Sequence, residues 1–82
     1  MNISAEITCI IEKIIEFPEK DKEDIYEFLE HDEWGIALET LYAVLYEEKI
    51  PITKSIYDTV ISVGEIMDMD SSTWDSLKYL IR

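Results

Sequence analysis

The side chains that could do chemistry are mainly carboxylates. Nineteen of the 82 residues are aspartate or glutamate, against seven lysines and arginines, one histidine and one cysteine. General acid–base catalysis needs two groups whose surroundings separate their pKa values, whereas these acids fall on the polar sides of predicted helices. His31 has no second base beside it, and Cys9 falls near Glu12 and Glu16, whose charge disfavours a thiolate. We therefore expect a protein that is not an enzyme and that uses no cofactor.

Two short motifs resemble known sites at some positions but lack what those sites require elsewhere. The stretch Asp68–Ser72 opens like a calcium loop, but Thr73 stands where the loop needs glycine and Tyr79 stands where it needs a bidentate carboxylate. Asp75–Leu77 matches the three-residue core of the acyl carrier proteins, whose serine carries phosphopantetheine. Only six residues follow Ser76 in this sequence, too few for the helices that follow it there. We expect neither a metal site nor a carrier function.

The net charge of −12 is unevenly distributed along the chain. Residues 1–48 hold 14 acids and three lysines, whereas residues 49–82 hold five acids and four bases. Nucleic acids and anionic membranes attract basic surfaces, so the sequence argues against both as partners. Complementary charge speeds and orients encounter with a basic protein, although an acidic composition can also serve solubility alone. The sequence has a single cysteine, no basic start typical of a signal peptide and no apolar segment long enough to cross a membrane. These features predict a cytoplasmic protein.

The most acidic stretch runs from Glu19 to Glu33, with eight acids and two lysines. Here Ile25, Phe28 and Leu29 form a narrow apolar stripe. The carboxylates on the opposite side, spaced four and three residues apart, are Glu23, Glu27 and Glu30. Like charges at these spacings destabilise a helix by roughly 0.2–0.5 kcal/mol each, so a partner is one explanation for their presence and a solvated helix face is the other. The predicted partner-binding surface, called the acidic surface below, consists of Glu23, Glu27, Glu30, Asp32 and Glu33.

Apolar residues recur with the period of an α-helix through most of the chain. Pro18 and Pro51 mark breaks. The first predicted helix runs from Ile3 or Ala5 to Phe17, is capped by Asn2 or Ser4 and has Ile15 on its apolar face; the second is Lys22–His31, capped by Asp21. A central helix starts at about Asp32, and a fourth, Lys54–Met67, is capped by Thr53 and has Gly64 at a close helix crossing. The last helix starts at Ser72, has Asp75 in a capping box and includes Ile81.

The central helix organises this arrangement because it is apolar on two sides. Its main face holds Trp34, Ala37, Leu38, Leu41, Val44 and Leu45, and its second face holds Ile36, Thr40 and Ala43. A helix that is apolar on two sides is usually buried on two sides. The sequence therefore predicts an all-α fold, a single domain over residues 1–82, with about five short helices in a compact bundle around a central buried helix.

The central and C-terminal segments also resemble a known family. Ala37-Leu38-Glu39, then Leu41, Leu45, Glu47 and Ile50-Pro51-Ile52, resemble the MafI-type immunity proteins of bacterial polymorphic toxin systems, and the spacing of Ile61, Met67, Trp74 and Leu77 is similar too. The resemblance covers about residues 28–81 and lies in core and turn positions. It implies a cytoplasmic inhibitor of a secreted or contact-delivered toxin, often a nuclease and sometimes an EndoU-type RNase. It does not identify the residues that contact the toxin.

Two functional hypotheses follow. The first is an immunity protein whose acidic surface binds a cognate toxin with a basic surface. The second is a small regulatory or scaffold bundle that binds another protein or itself, whose sign would be an exposed apolar patch around Tyr42 and Tyr46. We otherwise expect these tyrosines at the border of the main apolar face.

Overall fold

Six helical segments follow one another along residues 2–82, the part of the chain that this computed structural model describes. They are α1 Ile3–Lys13, α2 Glu19–Glu30, α3 Trp34–Glu47, α4 Lys54–Ile66, α5 Ser72–Asp75 and a 3₁₀ helix, Ser76–Leu80. The predicted all-α bundle is confirmed.

The long helices place the connections at two ends of the bundle. The end of α1 and the start of α4 line one hollow, through Lys13 and Thr53. The start of α3 lies close to the end of α4, since a Cβ at Gly35 would be 4.0 Å from Met67 Cε. The α1–α2 turn and the α3–α4 connector therefore share one end, and the α2–α3 loop lies at the other, near the end of α4.

α3 is buried along its main face except at Trp34, which is 37% exposed, and Val44, which is half-buried. Leu38, Leu41 and Leu45 have no exposed surface, and α3 packs on α1, α2, α5 and the 3₁₀ helix. The prediction that the second face is also buried is wrong, because Ile36 is 49% exposed and Ala43 is exposed. The C-terminal segment that packs beside this face is short, and it covers only part of the helix.

α1 ends four residues before the predicted Phe17. Ile14 is extended (φ −101°, ψ 99°), so Ile14 and Phe17 both reach the core while Ile15 is 93% exposed. The prediction of Ile15 on the apolar face is therefore wrong. A β-branched residue adopts an extended backbone readily, and this turn buries two large side chains where a continued helix would meet the restriction before Pro18.

The helix starts are set by different caps. Asn2 Oδ1 accepts a hydrogen bond from the Ala5 N–H at 3.0 Å, and Thr53 Oγ1 accepts one from the Ile56 N–H at 3.1 Å, which confirms both predicted caps. α2 begins directly after Pro18, so the predicted Asp21 cap is wrong. Proline already has a φ suited to the start of a helix.

Three helices end in the same left-handed turn without glycine. Asp32, Lys49 and Asp68 have φ values of 56°, 52° and 57°. After α2 the Glu33 N–H donates to the Phe28 carbonyl at 2.8 Å, and equivalent bonds follow α3 and α4. This pattern is the Schellman motif, in which glycine is the usual left-handed residue. The motif reverses the chain quickly, so short connections suffice between α2 and α3.

The C-terminal segment closes the fold by packing one tryptophan on a glycine. Trp74, 5% exposed, lies against Gly64 of α4 and edge-on to Tyr42 of α3, with ring centroids 6.4 Å apart. The predicted close approach at Gly64 is confirmed.

The start and end of this segment differ from prediction. Asp70 Oδ1 accepts the Ser72 N–H at 2.9 Å in place of the predicted Ser72–Asp75 capping box. Ile81 is not helical and forms a parallel β-bridge with Ile52.

Candidate functional site

The acidic surface is built mainly by α2. Because α2 is helical from Glu19 to Glu30, Glu23, Glu27 and Glu30 fall on one face, one and two turns apart. Asp32 and Glu33 follow in the loop before α3. All five residues are exposed, and within residues 2–82 none of them forms an ion pair. The structure therefore brings the α2 carboxylates onto one stripe and places the two loop acids directly after it.

The core side of α2 explains this exposure. Ile25 is fully buried and Leu29 is 8% exposed, since both pack towards α3. Residues on the opposite side of the helix must then face solvent. The Schellman turn at Asp32 leaves the next two acids outside the core as well.

Little positive charge lies near these carboxylates along the chain. Lys22 is the nearest base in sequence to Glu23, and its Nζ lies 3.9 Å from Glu19 Oε2. Unneutralised like charges produce a negative potential over this face, which water and salt screen over about 8–10 Å. The arrangement is suited to attracting a cationic surface.

Tyr42 is not the border residue that the sequence predicts. Tyr42 is 3% exposed and donates its hydroxyl proton to the Val60 carbonyl at 3.1 Å, and burial raises its pKa far above the usual value of 10.0. It therefore cannot belong to a surface patch. Tyr46 is 59% exposed and lies beside Tyr79, which is 79% exposed. Sequence reasoning missed Tyr79 because a helical wheel drawn through the C-terminal segment does not apply to its 3₁₀ helix.

The residues with catalytic potential stay apart. Cys9 and His31 are both exposed, on α1 and at the end of α2. Within residues 2–82 no group of three or more histidine, cysteine or acidic side chains is arranged to hold a metal ion. In the same range no helix has the length and apolarity needed to cross a membrane.

Within residues 2–82, Tyr26 is the one tyrosine whose hydroxyl is hydrogen-bonded to a carboxylate. Its hydroxyl donates to Glu12 Oε2 at 3.3 Å, and its pKa is raised by partial burial and by the negative charge of Glu12. Since Glu12 lies on α1 and Tyr26 on α2, this bond supports the packing of α2 that orients the acidic surface.

Comparison with known proteins gives no relative for this chain. No protein-family model matches it, and neither a curated protein nor a solved structure is significantly similar.

Proposed function

We propose that this protein is an immunity protein that binds and neutralises a nuclease toxin in the cytoplasm through its acidic surface. The observation that carries the proposal is the unpaired, exposed row of carboxylates on α2, which continues into Asp32 and Glu33. The immunity hypothesis itself comes from the sequence of residues 28–81, which resembles the MafI-type immunity proteins, although no family model matches the chain.

The mechanism follows from the charge that a nuclease needs. An enzyme that cleaves nucleic acid holds phosphates in a basic cleft. A helix carrying carboxylates at intervals of about one turn can occupy that cleft in place of the substrate backbone. Close charge pairs across such an interface couple by roughly 1.5–7 kcal/mol and speed association. Direct block of the cleft is therefore the mechanism that we propose, and binding beside the active site is the alternative.

The cell-based test is co-expression with the toxin encoded beside this protein. We expect growth in the presence of the protein and death without it, at the same toxin dose. Equal killing in both strains would refute the immunity function.

The test of the surface is a double charge reversal, Glu27→Lys with Glu30→Lys. We expect the association rate with the toxin to fall at least tenfold at low salt, because electrostatic steering contributes roughly 10–10³-fold to such rates. The dependence of the rate on salt should weaken as well. The matched control reverses two exposed acids elsewhere, Glu39→Lys with Glu65→Lys, and should change the rate much less. Equal effects of the two double variants would show that net charge, and not this surface, guides binding.

A further inference from the structure

A groove lies at the far end of α3 from the acidic loop. It runs between the end of α3 and the 3₁₀ helix, has a volume of about 420 Å³, and is lined mainly by Tyr46, Lys49, Tyr79, Leu80 and Arg82. We call it the C-terminal groove. A second hollow of about 270 Å³ shares Tyr46 and continues along α3 past Ala43. Ala43, from the uncovered second face of α3, thus borders this second hollow, together with the polar residues Glu39, Thr73 and Ser76.

The charge of this groove is opposite to that of α2. Lys49 and Arg82 line it, and Lys78 Nζ lies 5.4 Å from the centre of the Tyr79 ring. Within residues 2–82 none of these three bases forms an ion pair, and Glu47 is the one acid among the lining residues. Exposed tyrosines beside cationic groups are suited to an acidic segment that also carries an apolar anchor.

The α2–α3 loop of the same chain has this chemistry. Glu30 at the end of α2 and the loop residues Asp32 and Glu33 are exposed, and they precede Trp34, which is 37% exposed. The loop and the groove lie at opposite ends of α3, whose 14 residues span about 21 Å. One copy therefore cannot bring its own loop into its own groove.

We propose that the C-terminal groove of one copy binds the α2–α3 loop of a second copy, so that copies stack head to tail. Trp34 enters the space between Tyr46 and Tyr79, and the loop carboxylates meet Lys49 and Arg82. The two surfaces are different, so the contact is heterologous and repeats along a row of copies. The smaller dimensions of the molecule, 27 and 19 Å, limit such a contact to roughly 400 Å² per copy, about half of a standard interface. Association is therefore weak and reversible.

The consequence for inhibition rests on the proposed function. Glu30, Asp32 and Glu33 belong to the acidic surface, so stacking covers part of the toxin-binding face. A toxin that binds this face more tightly than the groove does separates the copies.

The test is sedimentation of the purified protein alone, from about 20 μM to 1 mM, because weak interfaces associate in this range. We expect the average mass of the wild type to rise with concentration. Two double variants, Glu30→Lys/Glu33→Lys and Lys49→Glu/Arg82→Glu, should each stay monomeric. Asp32 is left unchanged because aspartate tolerates its left-handed backbone better than lysine would, whereas Lys49→Glu, also at a positive φ, exchanges two side chains that are alike in this respect.

Mixing separates a specific contact from general repulsion. An equimolar mixture of the two double variants restores charge complementarity and should regain association, as should one chain that carries all four changes. The control Lys20→Glu/Lys54→Glu has the same net charge as the groove variant and should still associate. Circular dichroism checks that each variant is folded, which the exposure of all these sites leads us to expect.

Three results would overturn the proposal: a wild type that stays monomeric at 1 mM, association of either double variant alone, or a mixture that fails to associate. The groove variant should still neutralise the toxin. A wild type that neutralises the toxin but stays monomeric at 1 mM therefore refutes this inference alone, and a wild type that stacks but does not neutralise the toxin refutes the proposed function alone.

Discussion

The contact between Gly64 and Trp74 makes Gly64→Ala the most informative single substitution in the fold. A Cβ at this position would lie 2.7 Å from Trp74 Cε3 and 2.9 Å from the Tyr42 hydroxyl oxygen. Ordinary carbon contacts need about 3.5–4.0 Å, so the ring must move by roughly 1 Å. The ring has little room for this movement, because Trp74 is 5% exposed and packs edge-on to Tyr42.

Two opposing terms set the size of the effect. Alanine favours a helix over glycine by about 1 kcal/mol. Overpacking a core costs about 1–3 kcal/mol, and expelling a buried tryptophan costs about 3–5 kcal/mol. Because the ring has little room to shift, the larger cost applies, and after subtraction of the helix gain we expect a net loss of about 2–4 kcal/mol in the free energy of unfolding. At about 4–8 °C per kcal/mol, the melting temperature should fall by roughly 8–32 °C.

The assay is urea and thermal unfolding, followed by tryptophan fluorescence and circular dichroism. Gly35→Ala is the matched control, since its Cβ would meet only Met67 Cε, at an ordinary 4.0 Å. This control should be neutral or stabilising by up to about 1 kcal/mol. If Gly64→Ala is as stable as Gly35→Ala, the reasoning about the Trp74 contact is refuted.

Two further predictions concern backbone strain and a buried hydroxyl. Lys49→Gly should stabilise the fold by about 1 kcal/mol, because Lys49 has φ 52° and left-handed backbone costs a lysine roughly 1–2 kcal/mol; a lower urea midpoint than wild type would contradict this. Tyr42→Phe should cost about 1 kcal/mol at pH 7, since it removes the hydrogen bond to the Val60 carbonyl. Burial raises the pKa of Tyr42 above its usual value of 10.0. The neutral hydroxyl therefore stabilises the folded state relative to the unfolded state. This stabilisation is fully present below pH 10 and is lost as the pH rises above 10. The wild type should therefore lose stability between pH 10 and 11.5 faster than Tyr42→Phe, as measured by urea unfolding, and parallel losses in both would rule out Tyr42 as the cause.

Local patterns in the sequence were sufficient for much of the fold. The apolar period of 3.6 residues predicted the helices, and Asn2 and Thr53 were recognisable caps because a cap needs only its own side chain and the next turn. The positions of Glu23, Glu27 and Glu30 on one face followed from the same period. Their exposure followed from the apolar stripe on the other side of α2.

The tertiary structure decided where distant segments meet. Ile15 is exposed because the turn after Lys13 buries Ile14 and Phe17 instead, and a helical wheel contains no information about that turn. Tyr42 is buried because its hydroxyl finds a carbonyl 18 residues away on α4.

The sequence by itself determined the all-α class, the main apolar faces and the outward row of carboxylates, because each depends on residues within a few turns of one another. Only the tertiary structure decided that the second face of α3 stays open, that the last residues leave the helix to pair Ile81 with Ile52, and that Tyr46 and Tyr79 border one groove. These outcomes depend on how far a short C-terminal segment reaches across its neighbours. Packing between segments distant in sequence sets that reach.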